Sequence, residues 1–87
     1  MTYRLDFTKL AQKHIAYHKK TGNKSLLNKI AVLLEELTEH PFTGTGKPEP
    51  LKHNLSGFWS RRINSEHRLV YEVLETIVVV HHAKGHY

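Results

Sequence analysis

The apolar positions in the first half of the chain recur at helical spacing and predict two helices after a short strand over 4–7. Thr8 is placed to cap the first helix, which runs to about Lys20 and ends in the Thr-Gly-Asn of 21–23. Its predicted inward face consists of Leu10, Ala11, His14, Ile15 and Tyr17. Its opposite face carries Lys9, Lys13 and Lys20, which are either simply solvated or rest on an RNA backbone.

The second helix, over about 24–39, has the clearest apolar stripe in the sequence. Its members follow one another at three- and four-residue intervals: Leu26, Ile30, Leu33, Leu34 and Leu37. Such a stripe has to pack on another layer, because it would otherwise leave a continuous apolar surface in water. Pro41 ends the helix, since proline cannot continue its hydrogen-bond ladder.

From Phe58 onward the pattern changes to the two-residue period that is typical of strands. We predict strands over 58–64, 67–74 and 77–83, joined by tight turns at 65–66 and 75–76. Turns this short join antiparallel neighbours, so the three strands are expected to form two consecutive hairpins.

Alternation along these strands separates two faces of the predicted sheet. The face suited to the helices carries Trp59, Ile63, Leu69, Tyr71 and Val73. The other face, expected to be uncovered, carries Ser60, Arg62, Arg68, Val70 and Glu72, and a hairpin would bring the two arginines onto it together. The predicted fold is a single α+β domain over 1–87, with two N-terminal helices packed on one face of a mainly antiparallel twisted sheet.

The segment PFTGTGKPEP, over 41–50, holds all three prolines and two of the five glycines. This composition restricts the backbone, so we predict a structured loop rather than a flexible linker. Glu49 stands between two of the prolines, which hold its backbone extended and allow its carboxylate to be aimed. An ordinary solvated loop glutamate explains the same pattern.

Charge and composition narrow the setting in which such a domain works. Thirteen Lys and Arg against eight Asp and Glu give a net charge of +5, which suits nucleic acid or another anionic surface but is also common in small soluble proteins. The sequence has no cysteine, no signal-peptide pattern and no apolar run of membrane-spanning length. These features predict a cytoplasmic protein that is not held in a membrane.

A basic, open sheet face suggests a site that cuts RNA without a metal ion. The 2′-hydroxyl is an internal nucleophile, so the protein has to supply a base, cations for the charge on phosphorus and an acid for the leaving oxygen. The suitable residues on or beside that face are Glu49, Lys52, Arg62, Arg68, His82 and His86. Solubilising charge explains the arginines equally well, and the penultimate residue of a chain is often part of a frayed end.

Metal binding is not predicted, although the chain has eight histidines. His14 and His18 stand four residues apart on a helix, a spacing that can chelate, but no third ligand is placed to complete the set. Alternation sends His81 and His82 to opposite faces of the last strand. Trp59 could stack on a base, although its position favours the core.

The segment over 44–73, GTGKPEPLKHNLSGFWSRRINSEHRLVYEV, closely resembles the central block of YoeB-type toxins of the RelE superfamily. Its most specific parts are GKPEPLK, SGFWSRRI and HRLVY, and the terminal KGHY resembles the usual ending of these toxins. Residues 1–40 match in pattern alone. His81 and His82 stand where the family usually has small residues, and the first helix is unusually rich in lysine.

This resemblance implies a microbial-ribonuclease-like fold. It also implies a ribosome-dependent endoribonuclease that cleaves mRNA in the decoding site, in contact with ribosomal RNA and without a cofactor. It also implies a cognate antitoxin of the YefM type, whose C-terminal segment wraps the toxin, and it suggests homodimers. By position, Glu49 resembles the family's general base, His86 its general acid and Arg68 its phosphate-stabilising arginine. The supporting groups that position substrate and charge would be Lys52, Arg62 and Tyr87.

Two other functions use some of the same features. A non-catalytic RNA- or ribosome-binding module would need the basic face but not His86. A relative that poisons DNA gyrase on the same scaffold would need no acid–base pair, so the joint presence of Glu49, Arg68 and His86 argues against that function.

Overall fold

The computed structural model of the protein describes residues 2–51 and 57–85. Two helices and five strands follow one another in the order β1 (Arg4–Phe7), α1 (Lys9–Thr21), α2 (Lys24–Leu37), β2 (Glu49–Pro50), β3 (Phe58–Arg62), β4 (Arg68–Val73) and β5 (Ile77–His82). The strands form one sheet in the order β1-β5-β4-β3-β2. The predicted α+β fold, with both helices packed against a mainly antiparallel sheet, is confirmed.

Both helices begin and end where the sequence provides capping groups. The Thr8 hydroxyl accepts the main-chain N–H of Ala11, and the Asn23 side chain accepts that of Leu26, so each helix has one of its free N–H groups satisfied. α1 ends at Gly22, which adopts the left-handed conformation that suits glycine. Neither helix in the described part of the chain is long and apolar enough to cross a membrane.

The apolar stripe of α2 is confirmed, whereas the inward face predicted for α1 is partly wrong. In α1, Leu10 and Tyr17 are each 46% exposed, while Ala11 and His18 are buried. His18 is buried, whereas Tyr17, which was predicted to face inward, is not. Burial of the polar His18 ring is possible because its Nε2 donates to the carbonyl of Ala83 at 2.8 Å. The helix is therefore rotated slightly relative to the prediction, towards its histidines.

The core lies between the helices and one face of the sheet. Its buried members are Ala11, Leu26, Ile30, Leu33, Leu37, Ile63, Leu69, Tyr71, Val78, Val80 and Ala83, and Leu34, Trp59 and Val73 pack against them from partly buried positions. Trp59 thus belongs to the core, as predicted.

The register of the hairpins agrees with the predicted faces. β3 and β4 are antiparallel with Arg62 opposite Arg68, and β4 and β5 are antiparallel with an irregularity between Val70 and Tyr71. β1 joins the far side of β5 in parallel, a pairing that its sequence does not specify because no short turn connects the two strands.

Two predictions about the sheet are wrong in detail. The segment over 41–50 is not loop throughout, because its last two residues form β2, which pairs with β3 through Glu49 opposite Ser60. The face away from the helices is also not fully open, since Ser60 is 2% and Val70 is 3% exposed. Both positions lie at the centre of that face, and its accessible part is therefore nearer the ends of β3 and β4.

Candidate active site

Strand pairing brings Glu49, Arg62 and Arg68 onto one face of the sheet. Glu49 is opposite Ser60, and Ser60 is in turn opposite Val70. Paired residues of neighbouring strands project to the same side, and so do residues two apart along a strand. Arg62 is two residues after Ser60, and Arg68 is two residues before Val70. Both arginines therefore lie on the same face of the sheet as Glu49.

The spacing of strands gives the scale of this arrangement. From ordinary strand dimensions, the Cα atom of Glu49 is roughly 8 Å from that of Arg62 and about 12 Å from that of Arg68. Both guanidinium groups are on long side chains that can turn towards a common phosphate. Within residues 2–51 and 57–85, neither guanidinium is in an ion pair.

The remaining predicted site residues divide into two groups. Lys52, His86 and Tyr87 lie outside the described residues. His82, also considered for the site, has its ring 5.4 Å from that of His14 on α1, on the helix side of the sheet. His81 instead contacts Phe58, and its Nε2 donates to Oε1 of Glu72 at 3.2 Å. The prediction that the two histidines face opposite ways is confirmed.

The last described residues of the chain are hydrogen-bonded beside Arg68. The main-chain N–H of Arg68 donates to the carbonyl of Gly85 at 3.0 Å, and the N–H of Gly85 donates to Nδ1 of His67 at 2.9 Å. The chain therefore runs alongside the start of β4 as it approaches its C-terminus. Gly85 has φ +80°, and no atom of the described residues lies within 4 Å of the place that a Cβ atom would occupy.

The segment that carries Glu49 is fixed by Arg61, a residue to which the sequence analysis gave no role. Its side chain is fully buried and forms hydrogen bonds with three carbonyls of the segment and its approach, those of His40, Thr43 and Thr45. Arg61 thus holds three points of the chain between His40 and Thr45 against the sheet.

The Arg61 guanidinium also donates hydrogen bonds to two side chains, those of Glu36 and Tyr71. Nη1 donates to Oε1 of Glu36 at 2.9 Å, and Nε donates to the hydroxyl of Tyr71 at 3.1 Å. Tyr71 itself donates to the carbonyl of Pro41 at 2.7 Å, so it holds the start of the same loop. A buried cation is expensive to desolvate, and this set of partners offsets the cost.

The carboxylate of Glu36 is the charged partner in this network. Burial raises its pKa, but hydrogen bonds from the hydroxyl and the main-chain N–H of Thr45, together with Arg61, more than offset that effect and lower the pKa overall. Burial raises the pKa of Tyr71, against a smaller opposing effect of Arg61. Both groups are therefore held in the forms that the network requires, an ionised carboxylate and a neutral phenol.

Period-two alternation alone places Arg61 on the helix side, with Trp59 and Ile63, and this was the signal that could have identified it. An arginine at an inward strand position has to find buried partners. A glutamate on the facing helix is the obvious candidate for one of them.

A cleft of about 340 Å³ adjoins the exposed side of Arg62. Its lining includes two further cations, Lys29 from α2 and Lys47 from the loop, together with Asn64 and Ser65 from the turn after β3. The described lining contains no carboxylate, so the cleft favours anions.

The described residues contain no group of three or more metal-binding side chains. His14 and His18 instead form hydrogen bonds with the main chain of Ala83. These contacts give the two histidines a role other than the chelation considered from their spacing.

Comparison with known proteins adds an independent finding. A model of the family described as YoeB-like toxin of bacterial type II toxin-antitoxin system matches residues 7–87. The chain is 45% identical over 83 residues to Toxin YoeB of Synechocystis sp., which covers 91% of this chain and 96% of the relative.

Two solved structures from Staphylococcus aureus have the same fold. A YoeB dimer matches with a TM-score of 0.88 and 38% identity, over 100% of both chains. A YoeB–YefM complex matches with a TM-score of 0.84 and 39% identity, again over 100% of both chains.

Proposed function

Because the chain belongs to the family of YoeB-like toxins of bacterial type II toxin–antitoxin systems, we propose that it is a cytoplasmic, ribosome-dependent endoribonuclease that cleaves mRNA and so stops translation. The observation that carries this proposal is the sheet face shared by Glu49, Arg62 and Arg68. A carboxylate and two guanidinium groups are the components that metal-independent phosphodiester cleavage needs from a protein, apart from an acid.

In the proposed reaction, Glu49 removes the proton of the 2′-hydroxyl, and the 2′-oxygen attacks the adjacent phosphorus. The bond from phosphorus to the 5′-oxygen breaks, and His86 donates a proton to that oxygen. The products are a 2′,3′-cyclic phosphate and a free 5′-hydroxyl. No metal ion or other cofactor takes part.

The two arginines stabilise the negative charge that develops on the phosphate oxygens during the attack. Arg62 and Arg68 are opposite each other in the β3–β4 hairpin, so their planar forks can bind neighbouring phosphate oxygens. Lys52 and Tyr87 are proposed to position the substrate alongside them.

Support for including His86 comes from the course of the chain just before it. Gly85 is hydrogen-bonded to the main chain of Arg68 and to the His67 side chain, and His86 is the next residue. An imidazole is suited to donate a proton near neutral pH.

We also propose that an antitoxin of the YefM type and a second copy of the chain are its protein partners, by analogy with the Staphylococcus aureus complex and dimer. The basic sheet face is the expected target of an acidic antitoxin segment, which would compete with RNA for the arginines. The mRNA substrate and the ribosomal RNA around it are the proposed nucleic-acid partners.

The test is to add the purified protein to translating ribosomes and map the 5′ ends of the mRNA. Replacing the acid or base, by His86→Gln or Glu49→Gln, is expected to slow cleavage by roughly 10²- to 10⁴-fold. Arg68→Ala is expected to cost about 10²- to 10³-fold. A matched control is Glu75→Gln, which changes an exposed carboxylate in the turn before β5 and should leave the rate unchanged.

Two outcomes would contradict the proposal. Equal cleavage by the wild type and His86→Gln would exclude that histidine as the acid. Binding to ribosomes without any cleavage would favour the alternative of a non-catalytic RNA-binding module, for which Arg62→Ala should weaken binding in a salt-dependent manner.

A further inference from the structure

Among residues 2–51 and 57–85, four hydrogen bonds hold the chain over 83–85, and three of them involve histidine side chains. The N–H of Ala83 donates to Nδ1 of His14 at 3.1 Å, and Nε2 of His18 donates to the carbonyl of Ala83 at 2.8 Å. The N–H of Gly85 donates to Nδ1 of His67 at 2.9 Å, and its carbonyl accepts the N–H of Arg68. We call His14, His18 and His67 the histidine clasp.

The direction of these hydrogen bonds determines the protonation state of two clasp members. A main-chain N–H can only donate, so Nδ1 of His14 and Nδ1 of His67 each have to present a lone pair. A protonated imidazole carries hydrogen on both nitrogens and has no lone pair to offer. His14 and His67 can therefore hold the chain only while they are neutral. His18 differs, because its nitrogen donates to a carbonyl and can do so in either protonation state.

The surroundings of His14 favour its neutral form. Burial lowers the pKa of His14, and the nearby positive or titratable groups of His82, Lys84, His18 and His67 lower it further. These groups come from β5, the segment after it, α1 itself and the turn before β4.

His67 lies between α1 and the turn before β4. Its ring is 4.8 Å from the buried ring of His18. Its Nε2 is 4.0 Å from a carboxylate oxygen of Glu66, whose side chain is 80% exposed. The neighbouring Lys84 ammonium lies over the Tyr17 ring at 4.0 Å and adds a contact between the C-terminal segment and α1.

We propose that His14 and His67 are positioning residues, which as neutral hydrogen-bond acceptors hold the C-terminal segment beside Arg68 and release it when they are protonated. The catalytic part of this inference rests on the proposed function, because His86 follows directly after the clasped segment. The clasp positions the proposed acid by fixing the main chain before it, and takes no part in proton transfer to the RNA.

A consequence is a loss of cleavage on mild acidification. Burial and the positive groups around it lower the pKa of His14, so its protonation requires a pH below the ordinary histidine range. Variants of the clasp separate this loss of activity from other effects of acidification.

The two amide replacements of histidine provide a matched pair of variants. Asparagine places its carbonyl oxygen where histidine has Nδ1 and does not titrate, whereas glutamine places its amide nearer the position of Nε2. The double variant His14→Asn/His67→Asn should thus keep the clasp at all pH values, and His14→Gln/His67→Gln should lack it at all pH values.

The structural test is amide hydrogen exchange of Ala83 and Gly85 by NMR at pH 7.5 and 5.5, after correction for intrinsic exchange rates. In the wild type, protection at both amides should fall by about tenfold on acidification, the effect of losing one hydrogen bond each. The Asn variant should remain protected at both pH values, and the Gln variant should be unprotected at both. Exchange of Tyr71 in β4 reports whether each variant is folded.

The activity test is the pH profile of mRNA cleavage on ribosomes between pH 7.5 and 5.5. The wild type should lose activity over this range, whereas the Asn variant should not. Identical profiles would overturn the positioning role, and so would imidazole nitrogen shifts that show a proton on Nδ1 of His14 or His67 at pH 7.5. If no protein cleaves RNA at any pH, the proposed function fails, while the exchange data still decide whether the clasp exists.

Discussion

Replacing Arg61 is expected to be the most damaging single change outside the proposed catalytic groups. Arg61→Met keeps much of the apolar stem but removes the guanidinium, which has hydrogen bonds to Glu36, to Tyr71 and to three loop carbonyls. The variant leaves these partners facing a side chain that cannot donate.

The magnitude follows from the burial of the pair. Arg61 is fully buried and the Glu36 side chain is 26% exposed, so the pair is close to the buried limit, where removing one partner costs about 3–5 kcal/mol. A chain of 87 residues has a total free energy of unfolding of roughly 4–13 kcal/mol. The substitution therefore removes between about a quarter and all of the stability.

Urea unfolding of the purified toxin, monitored by the fluorescence of Trp59, measures this loss. With a denaturant dependence of about 1–3 kcal/mol per M, the midpoint should fall by roughly 2 M. Arg4→Met, at an exposed position of β1, is the matched control and should change the free energy of unfolding by less than about 0.5 kcal/mol. A loss below about 1 kcal/mol for Arg61→Met would refute the view that Arg61 anchors the loop.

Three further changes test the same loop. The pKa of Glu36 is lowered in the folded state, so its contribution to stability is present above its ordinary pKa and is lost as pH falls through the folded-state value. Glu36→Gln should therefore flatten the acid limb of a curve of unfolding free energy against pH. An unchanged acid limb would assign the acid loss of stability to other carboxylates. Tyr71→Phe should lower the free energy of unfolding by about 1–3 kcal/mol, because it leaves Arg61 Nε and a loop carbonyl without a partner. Gly46→Ala should destabilise the fold by more than Gly22→Ala, as thermal unfolding would show. Both glycines have positive φ, but a Cβ atom at Gly46 would lie 2.7 Å from a main-chain oxygen, whereas one at Gly22 would have no atom of the described residues within 4 Å. Equal losses at the two glycines would mean that the close approach at Gly46 relaxes without cost.

The sequence predicted both helices, four of the five strands and the helix-facing side of the sheet, because at these places its local signals agree with its tertiary contacts. Helical spacing in α2, the cap at Thr8, and alternation in β3 to β5 each have a physical cause that acts within a few residues. The parallel contact of β1 with β5 has no such cause, since it joins segments about 70 residues apart and depends on the finished sheet.

The candidate site was only partly predictable for the same reason. Arg62 and Arg68 are paired by a short hairpin that the sequence indicates, whereas Glu49 reaches their face through β2, a two-residue strand too short to have a detectable period. The partners of Arg61 are 10 to 25 residues away along the chain, and those of His18 and His14 are 65 and 69 residues away. Alternation could indicate that these polar residues face inward, but not which groups they meet.

A structure of the toxin on a ribosome tests most directly where RNA lies on the protein. An mRNA with 2′-O-methyl groups in the decoding site would prevent cleavage while keeping the phosphate in place. We expect the phosphate that follows the methylated ribose to be hydrogen-bonded by both Arg62 and Arg68, with the Glu49 carboxylate beside the 2′-oxygen. A phosphate bound elsewhere, with the face of these three residues turned away from the mRNA, would contradict the account.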